Sequence, residues 1–308
     1  MKLLVLNPGV QATLQAEPRL GFRHAGVPSS GPADAVSMAL ANRLVGNPTH
    51  APCLEISNGP ASFRFESVVQ AGLVGARTNV KLDEQPAGMH ETLTVPEGAV
   101  LEIGAMSMGA RVYLSVRGGF EASAFIGSRS TYTPAGFGGF QGRAVAAGDR
   151  LEWSAANATD AVSTPLELRL WPTSSYALRA VAGPDAGPDR AVNMQGTFRI
   201  TGRTSRMGAE LSGDFPAGRT SGLMPSSAVF PGALQVTPEG RGFLLLADGQ
   251  TTGGYPHLLQ VVRADRHLLG QLRPGDTLRF LTVSQVQAEE VLRAKQALLA
   301  RWIPDFRL

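Results

Sequence analysis

The 308-residue chain has a single cysteine, three lysines, only 6% aromatic residues and no long apolar run. Cys53 alone cannot form an intrachain disulfide or a cysteine-based metal cluster, which fits a reducing compartment and reads Cys53 as a small core residue. None of Lys2, Lys81 and Lys295 follows a glycine, which excludes a Gly-Lys-Ser/Thr phosphate loop. None stands three positions after a serine, so a Ser-x-x-Lys nucleophile is excluded as well. A Gly-x-Ser-x-Gly elbow is also missing, and simple serine hydrolase chemistry is not expected. Apolar stretches such as 243–247 fall far short of the ~18 residues that a membrane-spanning helix needs. The start, MKLLVLNPGV, is broken by Asn7 and Pro8 too early for a signal peptide. A cytoplasmic location with no membrane partner is the expectation. The net charge is only +3, and the basic residues are scattered singly without interleaved aromatics, so no nucleic-acid partner is expected either.

What the chain does have is 36 Gly, 21 Pro and 43% hydrophobic residues, which together describe a globular, turn-rich protein with a real core. Two segments carry helix signals. Asp34 can cap a helix over 34–45, with Val36, Leu40 and Leu44 on one stripe and Gly46 and Pro48 as stops. Ser284 and Gln287 form a capping box for a second helix over 285–302, which carries Val291, Leu292, Leu298, Leu299 and Trp302 and is expected to dock on the body. Between them the dominant period is two. The stretches 110–117 and 166–171 alternate as half-buried strands, and turns such as VPEG, AAGD, VTPEG and RPGD separate many short strands. A strand, a Gly-rich loop and a Gly-Asp hairpin recur in that order over 109–153 and 240–280. The expectation is a mainly β protein of two related domains, 1–155 and 156–308, split at the polar run 154–165.

Four polar, glycine-rich segments stand out as candidate sites. GFRHAGVPSSGPAD (21–34) places Arg23, His24, Ser29 and Ser30 just before a helix start, and reads equally as an anion-binding loop or an ordinary capped one. GSRSTYTPAGFGGFQGR (127–143) offers Ser128, Arg129, Ser130 and Thr131 among glycines, although Phe137 and Phe140 also suit a barrel plug. GRTSRMGAELSG (202–213) carries Arg203 and Arg206 with Ser205, and an arginine on such a loop either clamps a carboxylate or phosphate or is simply solvated. LLLADGQTTGGYPHLLQVVRAD (244–265) sets Asp248, Gln250, Thr251, Thr252, Tyr255 and His257 directly after an apolar strand, where Asp248 reads either as a general base or metal contact or as a cap for its own loop.

These words, together with ANRLVGN, Leu54-Glu55 and LRPGDTLRF, closely resemble the KipA family. This family is also called allophanate hydrolase subunit 2 or the biotin-dependent carboxyltransferase domain, and it includes the C subunit of bacterial ATP-dependent 5-oxoprolinase. The resemblance runs over about 10–280. It implies two cyclophilin-like β-barrel domains and work inside an assembly with a KipI-like B subunit (PxpB) and a LamB/YcsF-like A subunit (PxpA), which together cleave 5-oxoproline to glutamate with ATP hydrolysis. ATP and Mg²⁺ are expected for such a complex, with the metal site itself unassigned. Biotin is not carried here, because no Met-Lys-Met surrounds any lysine. On that reading Arg129 and Arg206 hold anions, His24 and Asp248 serve acid-base or metal duty, and Arg23, Ser29, Ser30, Ser128, Ser130, Gln250, Thr251, Thr252 and Tyr255 orient the substrate. Gly26, Gly31, Gly138, Gly139, Gly253 and Gly254 shape the loops. The alternatives within the resemblance are a KipA-like regulator that binds a KipI-type kinase inhibitor, and a carboxyltransferase of the urea-carboxylase kind.

Overall fold

The computed structural model describes residues 1–169, 171–187, 194, 196–215 and 224–308. The chain divides into two compact units: Met1–Arg19, Asp34–Pro172 and Leu299–Arg307 make the first, while Leu20–Ala33, Thr173–Leu298 and Leu308 make the second.

The first unit is built from β1 (Lys2–Asn7), β2 (Gln11–Gln15), β3 (Cys53–Ser57), β4 (Ala61–Phe65), β5 (Val69–Arg77), β6 (Val80–Leu82), β7 (Gln85–Ala87), β8 (Thr92–Val95), β9 (Val100–Ile103), β10 (Met108–Val116) and β11 (Arg150–Glu152). They form a six-stranded sheet in the order β11-β1-β4-β9-β6-β7 and a five-stranded sheet in the order β2-β3-β10-β5-β8. Every pairing within both sheets is antiparallel. Alternation supplies the core: Leu3, Val5, Phe63, Phe65 and Leu101 belong to the first sheet, Leu14, Leu54, Leu73, Val112 and Leu114 to the second, and all are buried in one cluster.

Helix α1 (Ala35–Leu44) forms where expected. Asp34 Oδ1 accepts from the Ser37 N–H at 3.0 Å, and the Ser37 hydroxyl donates to Oδ2 at 2.6 Å. This helix changes the reading of β10, which is buried almost throughout rather than half-buried. Its Val112, Leu114 and Val116 enter the core, while Arg111, Tyr113 and Ser115, expected to face water, lie on the α1 side. Each of these side chains has a polar partner there. Tyr113 donates to Glu55 Oε2 at 2.7 Å and accepts from the Asp34 N–H at 2.7 Å, Arg111 faces Glu55 Oε1 at 3.3 Å, and the Ser115 hydroxyl bonds to Asn42 Oδ1.

The second unit contains β12 (Ser175–Ala182), β13 (Phe198–Thr204), β14 (Gly208–Ser212), β15 (Ser227–Ala228), β16 (Ala233–Val236), β17 (Gly242–Leu245), β18 (Thr252–Gly253), β19 (His257–Val261) and β20 (Thr277–Thr282). Seven of these close a barrel in the order β12-β19-β16-β17-β14-β13-β20, and β15 pairs with β18. The barrel is antiparallel except where β12 meets β20 in parallel. Leu178, Phe198, Leu211, Leu234, Leu244, Leu259 and Leu278 fill it.

The mainly β expectation holds, with three corrections. Among the described residues the second unit is a closed barrel, whereas the first is two sheets. The division also falls later than 155/156, because residues 159–164 are tied to the first unit. Gln70 and Thr159 exchange two hydrogen bonds, Thr92 bonds Val162, and Thr164 N–H donates to the His90 carbonyl. Third, the described residues of 166–171 form no strand: Pro165 leads into a 3-10 turn, Leu166–Leu168, whose end is fixed by Arg169 donating to the Thr164 carbonyl, and Leu170 lies outside the described residues. At the other end, α2 (Gln285–Ala300) starts with the reciprocal capping box, Ser284 N–H to Gln287 Oε1 at 2.9 Å and Gln287 N–H to the Ser284 hydroxyl at 3.2 Å. It ends two residues before the expected 302, and of its apolar residues only Leu299 is fully buried.

Candidate functional site

Three of the four polar segments belong to the second unit. The loop Leu20–Ala33 is fastened there by two arginines. Arg23, on the 3-10 turn Arg23–Ala25, donates through Nη2 to the carbonyls of Val229 and Gln250, the latter at 3.1 Å. Arg206 donates to the Gly31 carbonyl at 2.6 Å, where Gly31 has φ 86°, a left-handed conformation that glycine adopts without strain.

Arg206 and Asp248 are brought together, but on each other. Nε meets Oδ2 at 2.7 Å and Nη2 meets Oδ1 at 3.1 Å, a two-point ion pair whose side chains are 5% and 1% exposed. The residues expected to hold an anion and to act as base or metal contact therefore form an internal brace between the β13–β14 turn and the loop after β17. His24 is exposed, and its ring makes no hydrogen bond among the described residues. Ser30 is buried at φ 53° with its hydroxyl unpartnered, and Ser29 is half-buried. The Thr251 carbonyl accepts from Val229 N–H at 3.1 Å, and Thr252 lies exposed in β18. Neither Gly253 nor Gly254 adopts a positive φ; a Cβ on Gly253 would run into the Gln235 amide.

The fourth segment, 127–143, sits in the first unit and spends its donors within it. The Ser128 hydroxyl donates to the Glu17 carbonyl at 2.7 Å, Ser130 donates to the Ala16 carbonyl at 3.1 Å, and Arg129 pairs with Glu17 through two 3.2 Å contacts. Gly138 and Gly139 have positive φ, and a Cβ on either would strike the Ser130 carbonyl or the Thr131 hydroxyl. Phe137 stacks on Phe125 and lies 4.7 Å from the buried Arg19 guanidinium. These contacts make the segment a clasp over the end of β2.

Open chemistry gathers instead in a cleft of about 780 Å³ on the barrel of the second unit. Arg203, Ser205, Gln235, Arg241, Gln250 and Tyr255 are among its walls. Two amides meet inside it: Gln250 Nε2 donates to Gln235 Oε1 at 3.0 Å, and Gln235 Nε2 donates to the Tyr255 carbonyl at 3.0 Å. Two cations flank it. Arg203 and Arg241 stand 3.8 and 3.7 Å from Glu210 Oε1, too far for a hydrogen bond, and their side chains are 71% and 54% exposed. Their donors remain available to an anion. Glu239, also in the wall, is held below the ordinary carboxylate range by the Thr237 hydroxyl, so it is ionised at neutral pH.

Of the residues singled out in the sequence, Arg203, Ser205, Gln250 and Tyr255 line this cleft. Gln235, Arg241, Glu239 and Phe243 were not expected there. The signal that could have found Gln235 is a polar residue inside the apolar strand ALQV, 1% exposed in the fold. Among the described residues no three His, Cys, Asp or Glu side chains converge as a metal set, and Asp248 has both oxygens committed to Arg206. Nor, among those residues, is any helix long and apolar enough to cross a membrane.

Two β units, the second carrying a polar cleft on its barrel, place the chain in a known group: it belongs to the carboxyltransferase domain family, subdomains A and B, whose model matches residues 25–282. Within that group it is 32% identical to the C subunit of 5-oxoprolinase from Escherichia coli K12, over 96% of this chain and 94% of that one. It is 30% identical to urea amidolyase of Saccharomyces cerevisiae over 90% of this chain, which corresponds to only 16% of that much longer protein. The crystal structure of Kluyveromyces lactis urea carboxylase superposes with a TM-score of 0.90 at 26% identity, covering 98% of this chain and 29% of that one.

Proposed function

We propose that this chain is the C subunit of an ATP-dependent 5-oxoprolinase assembly, cleaving 5-oxo-L-proline to L-glutamate. The observation that carries the reading is end-to-end correspondence: the E. coli protein is matched over nearly its full length, whereas the urea amidolyases contain the chain as a small part. The cleft is consistent with it. A small lactam acid needs cationic donors for its carboxylate and hydrogen-bonding groups for its amide, and the Arg203/Arg241 pair and the Gln235–Gln250 pair supply them. On this reading the cleft binds and orients the substrate through its arginines and amides, with Glu239 in the wall, and the partner chains of the assembly supply further groups. ATP, when bound to the assembly, supplies activation of a stable amide by phosphorylation of its carbonyl oxygen. Among the described residues no three His, Cys, Asp or Glu side chains converge, and on this reading Mg²⁺ would enter with the nucleotide phosphates.

The test is reconstitution with the KipI-like and LamB/YcsF-like proteins of the assembly. Oxoproline-dependent ATP hydrolysis should require this chain; unchanged turnover without it refutes the assignment. The likeness to urea carboxylase favours one second reading, carboxyl transfer from a biotin carried on another chain. Avidin would abolish that activity and leave the lactam-opening activity intact.

A further inference from the structure

Outside the cleft, the second unit gathers three arginines around one short segment. Arg263 opens the 3-10 helix Arg263–Gln271 and Arg266 follows one turn later; residues three apart eclipse in such a helix, so both side chains leave the same face. The helix start is fixed beside residues 229–232, because Val261 N–H donates to the Gly232 carbonyl at 2.8 Å and Gln260 Nε2 donates to the Pro231 carbonyl at 3.0 Å. Arg23 reaches the same segment. Its Nη2 donates to the Val229 carbonyl, and its guanidinium lies 5.1 Å from the centre of the Phe230 ring.

The donors of this group are not used up. Arg23 Nη1 and Arg266 Nε are buried atoms without a hydrogen-bond partner. None of the three side chains forms an ion pair with a described carboxylate. Asp265, which lies between two of them in sequence, gives both oxygens to Arg179, and Asp248 gives both to Arg206. Burial first, then the charges of Arg263 and Arg23, push the Arg266 guanidinium below its ordinary value, yet a guanidinium stays charged at physiological pH. Buried cationic donors crowded by like charge are unfavourable until an anion joins them.

We propose that Arg23, Arg263 and Arg266 form a binding site for a phosphate-class oxyanion, which accepts from the unused donors Arg23 Nη1 and Arg266 Nε. Planar guanidinium forks suit such a group, and the site stands independently of the 5-oxoprolinase reading. The test uses the full chain titrated with inorganic phosphate, with sodium chloride at matched ionic strength as control, and follows the unfolding temperature. Phosphate should raise it saturably beyond chloride. The response should be lost in Arg266→Gln and weakened at least ten-fold in Arg23→Gln, and the exposed Arg263→Gln should weaken it without affecting folding. In phosphate-free buffer Arg266→Gln should unfold at the same or a higher temperature, since it removes an uncompensated cation. A tighter response to ATP than to phosphate assigns the site to a phosphoryl group of a larger ligand, and an equal one to free phosphate. A wild-type chain that does not respond beyond chloride, an undiminished response in Arg266→Gln, or a lower unfolding temperature of that variant without phosphate would overturn the proposal.

Discussion

Replacing Asp248 by Asn separates an internal brace from a chemical role. The change keeps the shape of the side chain and removes its charge, which breaks the two-point ion pair with the 5% exposed Arg206. Removing one partner of a buried ion pair costs about 3–5 kcal/mol, far more than the ~0–1 kcal/mol of an exposed pair. The loss spreads to the loop Leu20–Ala33, because the same Arg206 holds the Gly31 carbonyl. At about 3 °C per kcal/mol for a unit of this size, the barrel's unfolding transition should fall by about 10–15 °C in calorimetry. Amide exchange near Gly31 should accelerate with it. Replacing both partners, Arg206→Met with Asp248→Leu, should recover only part of the loss, since an apolar pair avoids a broken ion pair but gives up the bond to the Gly31 carbonyl. If Asp248→Asn costs less than about 1 kcal/mol, the brace argument is wrong. Lost activity with intact stability would then return Asp248 to the role of a reacting group.

Four further outcomes follow from the same geometry. Arg203→Ala and Arg241→Ala, both on exposed side chains, should leave the unfolding temperature within about 1 °C, yet raise the KM for 5-oxoproline of the reconstituted assembly at least about ten-fold each, a loss of ~1.4 kcal/mol. Tyr113→Phe removes a hydroxyl that joins Asp34 to Glu55 and should cost about 1–3 kcal/mol in urea unfolding of the first unit. Ser284→Ala should cost about 1 kcal/mol and show as faster exchange in the first turn of α2. His90 is held down to about 4 by burial and by the Arg169 charge, below its usual 6.5. Between those values the unfolded chain takes up a proton that the folded chain refuses. Stability should therefore fall as pH drops from 6.5 towards 4, by up to roughly 3 kcal/mol. His90→Asn, which tolerates the φ of 64° there, should flatten that part of a pH series of urea melts.

Signals that act within a few residues were readable before the fold. The Asp34 cap and the Ser284–Gln287 box depend only on neighbours three positions away, and both occur as expected. Partnership across the sheet was not. Arg111, Tyr113 and Ser115 alternate with apolar residues as a solvent-facing row would, and only the packing of α1 turns that row inward. The polar loops show the same limit on chemistry. Arg129, Arg206 and Asp248 are reactive residue types on glycine-rich loops, but which acid meets which base is decided by contacts 112 and 42 positions apart. Gln235 stands out only as a polar residue in an apolar strand and Phe243 not at all, and barrel closure puts them beside Gln250 and Tyr255 in one cleft.

The loop Leu20–Ala33 also constrains how the chain comes off the ribosome. Its anchors are Arg206, Val229 and Gln250, the last 227 residues beyond Arg23. At a synthesis rate of about 5–20 residues per second, the loop waits about 10–45 s for its final partner. During that time β2 and α1 on either side of it can already pack in their own unit. A greasy segment left dangling so long would invite aggregation, whereas GFRHAGVPSSGPAD is polar, rich in Gly and Pro and poor in β-formers. Its composition serves the nascent chain as well as the finished one.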